Sequence, residues 1–292
     1  MCDNDSLDDM IEHLARKDAL SRRRFGAWSA GVGLATLLPR AANAAAVTER
    51  EVEIKTSAGT ADAFFVHPAE GAHPAVIVWP DIFGLRPAFR QMARRLAESG
   101  YAVLVPNPFY RSKRAPTSPP GADLQDEAMR NMLMSLARSL TPEIQTSDSE
   151  AFIGWLDGQK VVDRKRRMAT TGYCMGGPIT MRAAAAVPER IGAAASFHGG
   201  GLATDKPDSP HLLVPQMKAQ YLIAIAENDD QRDPEAKTLL KDAFAKAKLS
   251  AEIEVYAGTK HGWCPPDAAV YDKAQAEKAW ARMLALFETA LA

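Results

Sequence analysis

Seven residues, Thr171-Gly172-Tyr173-Cys174-Met175-Gly176-Gly177, constrain this chain more than any other stretch. They follow a β-like run and precede an alanine-rich helical one, so the backbone must reverse sharply between a strand and a helix. Glycines at 172 and 176 permit a tight turn because neither carries a Cβ to clash. The spacing is that of the nucleophile elbow G-x-S-x-G with sulfur in place of oxygen, a turn that holds one reactive side chain clear of the sheet edge. Cys174 is therefore a candidate nucleophile. The competing reading is a buried structural cysteine beside an ordinary glycine turn, since free cysteine is among the most buried residue types. Only a nucleophile needs a base and an acid brought to it.

The rest of the chain supplies the scaffold for such a turn. Residues 51–56 and 61–67 alternate polar and apolar around the turn signal Ser57-Ala58-Gly59-Thr60 and predict an opening antiparallel pair. Continuous apolar runs at 75–79, 101–105 and 220–226, with a shorter one at 193–197, predict strands covered on both faces. Residues 167–171 lead into the elbow, and 251–256 alternate as a last strand. Helical spacing is legible at 87–99, with Phe89, Met92 and Leu96 on one side and Gly100 as a stop. It recurs at about 124–140, 149–159, 179–187, 234–248 with Leu239, Leu240 and Phe244 inward, and 268–290. Strands alternating with helices predict an α/β fold: a mainly parallel sheet flanked by helices, with an initial antiparallel pair.

With 292 residues, 47% of them hydrophobic, the chain is long enough to bury one full core, and no linker or repeat divides it. A net charge of −1 gives no global pull toward nucleic acid or an anionic membrane. The expected partner is a small molecule, and the expected assembly a monomer or small homo-oligomer. Cys2, Cys174 and Cys264 are too few and too scattered for a disulfide framework or a zinc site. No metal is expected.

The N-terminus predicts export. Ser21-Arg22-Arg23-Arg24-Phe25 precedes an uncharged run at 26–39, and Ala42-Asn43-Ala44 offers small residues at a cleavage site. The run of about 14 residues is too short for a membrane span, which needs roughly 20. Residues 1–44 read as a cleaved twin-arginine signal, leaving a single domain at 45–292 in the periplasm with no stable membrane insertion; the alternative is an amphipathic helix on a cytoplasmic enzyme.

In an open parallel sheet, ligands bind beyond the carboxyl ends of the strands. Partners of Cys174 should therefore lie just after later strands. Asp229 and Asp230 follow the strand at 220–226, and His261, in the loop Gly258-Thr259-Lys260-His261-Gly262-Trp263, follows the last strand. The order nucleophile, acid, base is that of a hydrolase triad. Asp229 is preferred because it lies nearer the strand; Asp230 serves if the turn is one residue longer. Asp233, followed by Pro234, reads as a helix N-cap. His198 in Phe197-His198-Gly199-Gly200-Gly201 either lines the pocket or makes a structural hydrogen bond, and Trp263 either walls the pocket or packs its loop. The Pro-rich stretch 107–149, with basic Arg111, Lys113 and Arg114, reads as an excursion over the sheet, a lid or entry region.

On Trp79-Pro80-Asp81-Ile82-Phe83-Gly84-Leu85, Pro106 to Arg111, the elbow, Asp229 and Gly258 to Gly262, the chain from about residue 50 resembles the dienelactone hydrolase family of α/β-hydrolases. The resemblance implies hydrolysis of a carboxylic ester or lactone by a Cys174–His261–Asp229 triad with no metal or organic cofactor. It implies that Asp81, where the family usually has glutamate, couples to Cys174 and to Arg111. Asp81, Arg111, Tyr110, Trp263 and His198 are the expected substrate-binding side chains, and the backbone N–H groups of Ile82 and Met175 the expected oxyanion hole. Two departures stand out: Asp81 is one methylene short, and Pro265 stands where the family has a second arginine, four residues after the histidine. Arg111 is then the expected anchor for a substrate carboxylate. Other readings are a general esterase or thioesterase, a periplasmic binding protein without chemistry, and a redox sensor in which Cys174 and Cys264 form a disulfide.

Overall fold

The first two strands show how local pattern becomes structure. In the computed structural model, which describes residues 46–292, β1 (Val47–Thr56) and β2 (Gly59–Pro68) form an antiparallel hairpin with Thr56 opposite Gly59. Two residues turn the corner: Gly59 takes a φ of 136°, and Thr56 Oγ1 accepts the Ala58 N–H at 3.1 Å. The expected pair is present, and β1 starts four residues earlier than the alternation suggested. The export segment expected at residues 1–44 lies outside the described residues.

Six more strands complete one sheet: β3 (Ala75–Trp79), β4 (Ala102–Pro106), β5 (Met168–Tyr173), β6 (Ile191–Phe197), β7 (Gln220–Ala226) and β8 (Ala251–Tyr256). Their order is β1-β2-β4-β3-β5-β6-β7-β8, antiparallel from β1 through β4 and parallel from there on. The expected α/β architecture with its antiparallel opening is what the chain adopts. Seven α-helices are described: α1 (Pro87–Glu98), α2 (Glu127–Ser139), α3 (Pro142–Asp157), α4 (Gly176–Ala186), α5 (Glu227–Arg232), α6 (Ala236–Ala247) and α7 (Lys273–Ala290).

Two apolar layers sandwich the sheet. Ile77 of β3 and Tyr221 and Ile223 of β7 face a cluster with Phe152 of α3, Ile179 of α4 and Phe244 of α6; Val76, Val78, Leu222 and Ala224 face α1 and α7 through Phe89, Met92, Trp280 and Phe287. Covering both faces explains why the inner strands read as unbroken apolar runs. Burying each large aliphatic or aromatic side chain contributes about 1.5–3 kcal/mol relative to exposure. The sheet's two edges are charged instead. On β1, Glu49, Glu51 and Glu53 pair with Arg94, Arg90 and Arg114; on β8, Glu252 and Glu254 pair with Arg282 and Lys278.

Several element boundaries differ from expectation for local reasons. Helix α3 starts at Pro142 rather than 149, because Thr141 caps it through the Ile144 N–H and Pro142 fits the first turn. Helix α7 starts at Lys273, with Asp272 accepting the Gln275 N–H at 3.1 Å, so 268–272 is loop. Leu239 is 40% exposed, not inward; Leu240 and Phe244 alone carry the buried face of α6. Helix α5, a single polar turn immediately after β7, has no apolar period and reads as loop in sequence. Asp233 accepts the Ala236 N–H at 3.2 Å, a capping contact two residues ahead of the formal cap Glu235.

Candidate active site

The elbow is built by close approach. A Cβ on Gly172 would lie 2.1 Å from the Gly176 carbonyl oxygen, and one on Gly176 would lie 2.5 Å from that of Trp79, so only glycine fits either position. Between them Cys174 is forced to a φ of 52°, the left-handed region that non-glycine residues seldom occupy. Two backbone bonds hold it there: Cys174 N–H to Phe197 O at 3.0 Å and Gly177 N–H to Cys174 O at 2.9 Å. The side chain is turned out of the sheet into a third apolar cluster, shared with Ile82, Met175 and residues of the excursion, and Cys174 is 3% exposed.

His261 is delivered by the loop after β8, and α5 sets that loop's position. Glu227 Oε2 accepts the Gly258 N–H at 3.1 Å, Asn228 Oδ1 accepts the His261 N–H at 2.8 Å, and Asp229 Oδ2 lies 2.8 Å from His261 Nδ1. Three consecutive polar residues thus hold one loop. Asp230 turns the other way and pairs with Lys237 at 2.7 Å. The geometry therefore separates the two aspartates, and Asp229 is the one at the imidazole.

The electrostatics are coupled. Burial alone would lower the His261 pKa, but the Asp229 carboxylate and Cys174 together outweigh it and hold the pKa well above the ordinary histidine value. Nε2, the nitrogen not engaged by Asp229, is buried, and Cys174 raises the His261 pKa both through its charge and through a side-chain hydrogen bond. Catalytic hydrogen bonds commonly tighten only once substrate is bound. Among the described residues, the N–H groups of Ile82 and Met175 have no acceptor, and both residues share the Cys174 cluster.

The expected substrate-binding residues are placed differently. Asp81 does not meet Arg111. Its two oxygens take the guanidinium of Arg86 at 2.6 and 2.9 Å, and Oδ1 also accepts the Phe83 N–H at 3.0 Å. Arg86 continues to Asp267 at 2.7 and 3.0 Å. Burial opposes its charge, but the two carboxylates raise the Arg86 pKa, so it stays protonated. Arg111 is held by Asp148 at 2.6 and 2.7 Å and lies over the Tyr110 ring, whose hydroxyl bonds Thr56 and Asp148. Asp148, buried on α3, out-competes the more distant Asp81 for Arg111. Trp263 is fully buried, stacked on Tyr256 in the α1/α7 layer, so it packs its loop rather than walling a pocket.

His198 sits at the end of β6 with a φ of 41°, its ring edge-on to His261 at 5.1 Å and neither ring nitrogen hydrogen-bonded. Burial first, and then the charge on His261, push its pKa well below the ordinary value, so it is neutral. The structural hydrogen bond anticipated for its side chain is absent; the backbone N–H alone is used, donating to Ala224 O at 2.8 Å. Arg86 is the residue that sequence reading passed over. Its signal was position: it closes the segment Asp81-Ile82-Phe83-Gly84-Leu85-Arg86, where the turn at Gly84 brings residue 86 back to residue 81. Cys264 and Cys174, the pair in the redox-sensor alternative, are both free thiols and lie in different clusters. Among the described residues no group of three or more histidine, cysteine or acidic side chains could hold a metal, and no helix is long and apolar enough to cross a membrane.

A sequence profile of the dienelactone hydrolase family matches residues 61–291, which takes in every residue of this site. The chain belongs to the dienelactone hydrolase family. It is thus a hydrolase of the carboxylic ester and lactone class. Among its relatives is the carboxymethylenebutenolidase of Rhodococcus opacus, 26% identical over 241 residues that cover 79% of this chain and 87% of the relative. A Salmonella typhi protein named "Putative carboxymethylenebutenolidase" is 29% identical over 231 residues, 77% and 81% of the two chains. A solved structure from Klebsiella pneumoniae subsp. pneumoniae, "Putative Dienelactone Hydrolase", superposes with a TM-score of 0.72 at 26% identity, covering 84% of this chain and 99% of its own.

Proposed function

We propose that this family member cleaves its ester or lactone through a covalent thioester on Cys174, with His261 as base and Asp229 as the group that fixes the imidazole. The observation that carries the reading is the placement of His261 between Asp229 and Cys174, with a pKa raised by both. An unassisted thiol is mostly protonated at neutral pH, whereas an imidazole beside it can take the proton and hold the thiolate as an ion pair. The sulfur then adds to the carbonyl carbon. The oxygen of that carbonyl takes the electron pair and is held by the free N–H groups of Ile82 and Met175; each such donor typically contributes about 10² to 10³ in rate. On collapse, the C–O bond to the leaving alkoxide breaks and His261 returns the proton to it. Water, deprotonated by His261, adds to the thioester, and the C–S bond breaks to give the acid and the starting thiol.

Cys174→Ala should reduce hydrolysis of an activated ester by at least about 10³-fold while leaving the circular dichroism spectrum unchanged, in line with loss of a nucleophile. A rapid-quench mass spectrum of the wild type should show one acyl group on the peptide bearing Cys174. Turnover by the alanine variant at more than a tenth of the wild-type rate would overturn the proposal.

A further inference from the structure

The walls around Cys174 say which acyl group the thiol can receive, given the triad reading above on which this inference rests. Cys174 is buried in one apolar cluster with Ile82, Phe109, Leu124, Leu133, Met134 and Met175. Four of these six come from the excursion between β4 and α3, which makes that segment the roof of the site. Methionine is the most adaptable apolar side chain, and Met129 and Met132 of α2 pack against the same cluster.

Arg111 and Arg86 are already neutralised by carboxylates, and Lys113, Arg130 and Arg182 keep their charge but direct donors to protein oxygens. Arg111 is bound at both its terminal nitrogens by Asp148, and Arg86 is shared between Asp81 and Asp267. Lys113 donates to the Thr117 carbonyl at 2.9 Å, Arg130 to that of Leu124 at 3.0 Å, and Arg182 to Gln145 at 3.0 Å and the Asp208 carbonyl at 2.8 Å. Asp81, in the oxyanion loop, is itself bound on both oxygens by Arg86. A second carboxylate on the substrate would leave water for an apolar enclosure without a partner, which is strongly unfavourable.

We infer that the acyl side of this site accepts uncharged, apolar groups and excludes acyl groups that carry a carboxylate, so that the substrate class is neutral esters or lactones.

The test is a matched pair of substrates with a common leaving group, p-nitrophenyl hexanoate and the mono-p-nitrophenyl ester of hexanedioic acid, assayed with wild type and Cys174→Ala. Expected is a kcat/KM at least about 100-fold higher for the neutral ester, since a buried unpaired carboxylate costs several powers of ten in equilibrium terms. Met134→Lys, which places a cation in the roof, should shift that ratio at least about tenfold toward the acidic ester. Cys174-dependent hydrolysis that is equal for both esters, or faster for the acidic one, overturns the inference and leaves the triad standing. Hydrolysis of neither, or hydrolysis independent of Cys174, overturns the triad reading and the inference with it. The wild-type comparison needs no variant to fold.

Discussion

Asp229 and Asp230 are neighbours with the same side chain, and a single backbone step sends them to different partners, one to His261 and one to Lys237. In the proposed triad, Asp229 keeps the Nδ1 proton of the imidazole in place, which leaves Nε2 toward the sulfur. Asp229→Asn should therefore lower kcat by about 10² to 10⁴, because an amide can present the wrong hydrogen-bonding partner to Nδ1. Asp230→Asn loses one partly exposed ion pair of the kind worth about 1 kcal/mol or less, and kcat should stay within about threefold of wild type. Steady-state kinetics on both variants decide the matter; a larger loss from Asp230→Asn would reverse the assignment. The placement of Cys174 at the turn and of His261 in its loop was legible in the sequence because each sits in a short motif whose glycines dictate the local turn. Sequence spacing leaves the partner of the imidazole between Asp229 and Asp230, with Asp229 preferred, because α5 is too short and too polar to leave a periodic signal.

At the scale of elements, the loop from Asp81 to Arg86 between β3 and α1 joins the two halves of the site. Asp81 Oδ1 and carbonyl accept the N–H groups of Phe83 and Gly84, which shapes the turn that exposes the Ile82 N–H, and Arg86 ties that turn to Asp267 beyond the histidine loop. Arg86→Met removes the tie and leaves Asp81 without its cation. Breaking a buried pair from one side typically costs about 3–5 kcal/mol. Urea unfolding should show a loss of that order, and kcat should fall about 10- to 100-fold with KM nearly constant, as expected when an oxyanion donor is misplaced rather than lost. Arg86→Lys should recover part of kcat. An unaltered kcat in Arg86→Met would show that the turn holds itself. The pairing of Asp81 with Arg111, expected from resemblance, fails for a reason invisible in one dimension: Asp148, on a helix whose start was misplaced by seven residues, is the buried partner of Arg111. Strand positions, set by continuous apolar runs, were read almost to the residue.

For the whole molecule, two buried histidines act on stability with opposite sign. His198 has a folded pKa below its unfolded value near 6.5, so as pH falls below about 6.5 the unfolded chain takes up a proton that the folded one refuses, and stability drops. His261 has a folded pKa above that value; its contribution is complete below about 6.5 and is lost as pH rises through the folded pKa. Each acts with a slope of at most about 1.4 kcal/mol per pH unit. For this pair, stability should peak near pH 6.5. His198→Asn, a residue that tolerates the left-handed φ of 41°, should flatten the acid side of a urea-unfolding series while leaving the alkaline side unchanged. An acid side as steep as in the wild type would remove His198 from the account.

The glutamates along β1 and β8 have a consequence for how copies of this molecule can meet. A bare strand edge is a template for another strand, and it is normally closed by charge or cover. Here both rims of the sheet carry acidic side chains already clasped by arginine or lysine. A second copy that continued the sheet would bring its own charged edge against these side chains, which disfavours the pairing. Edge-to-edge pairing of the described domain is thereby disfavoured while it stays folded.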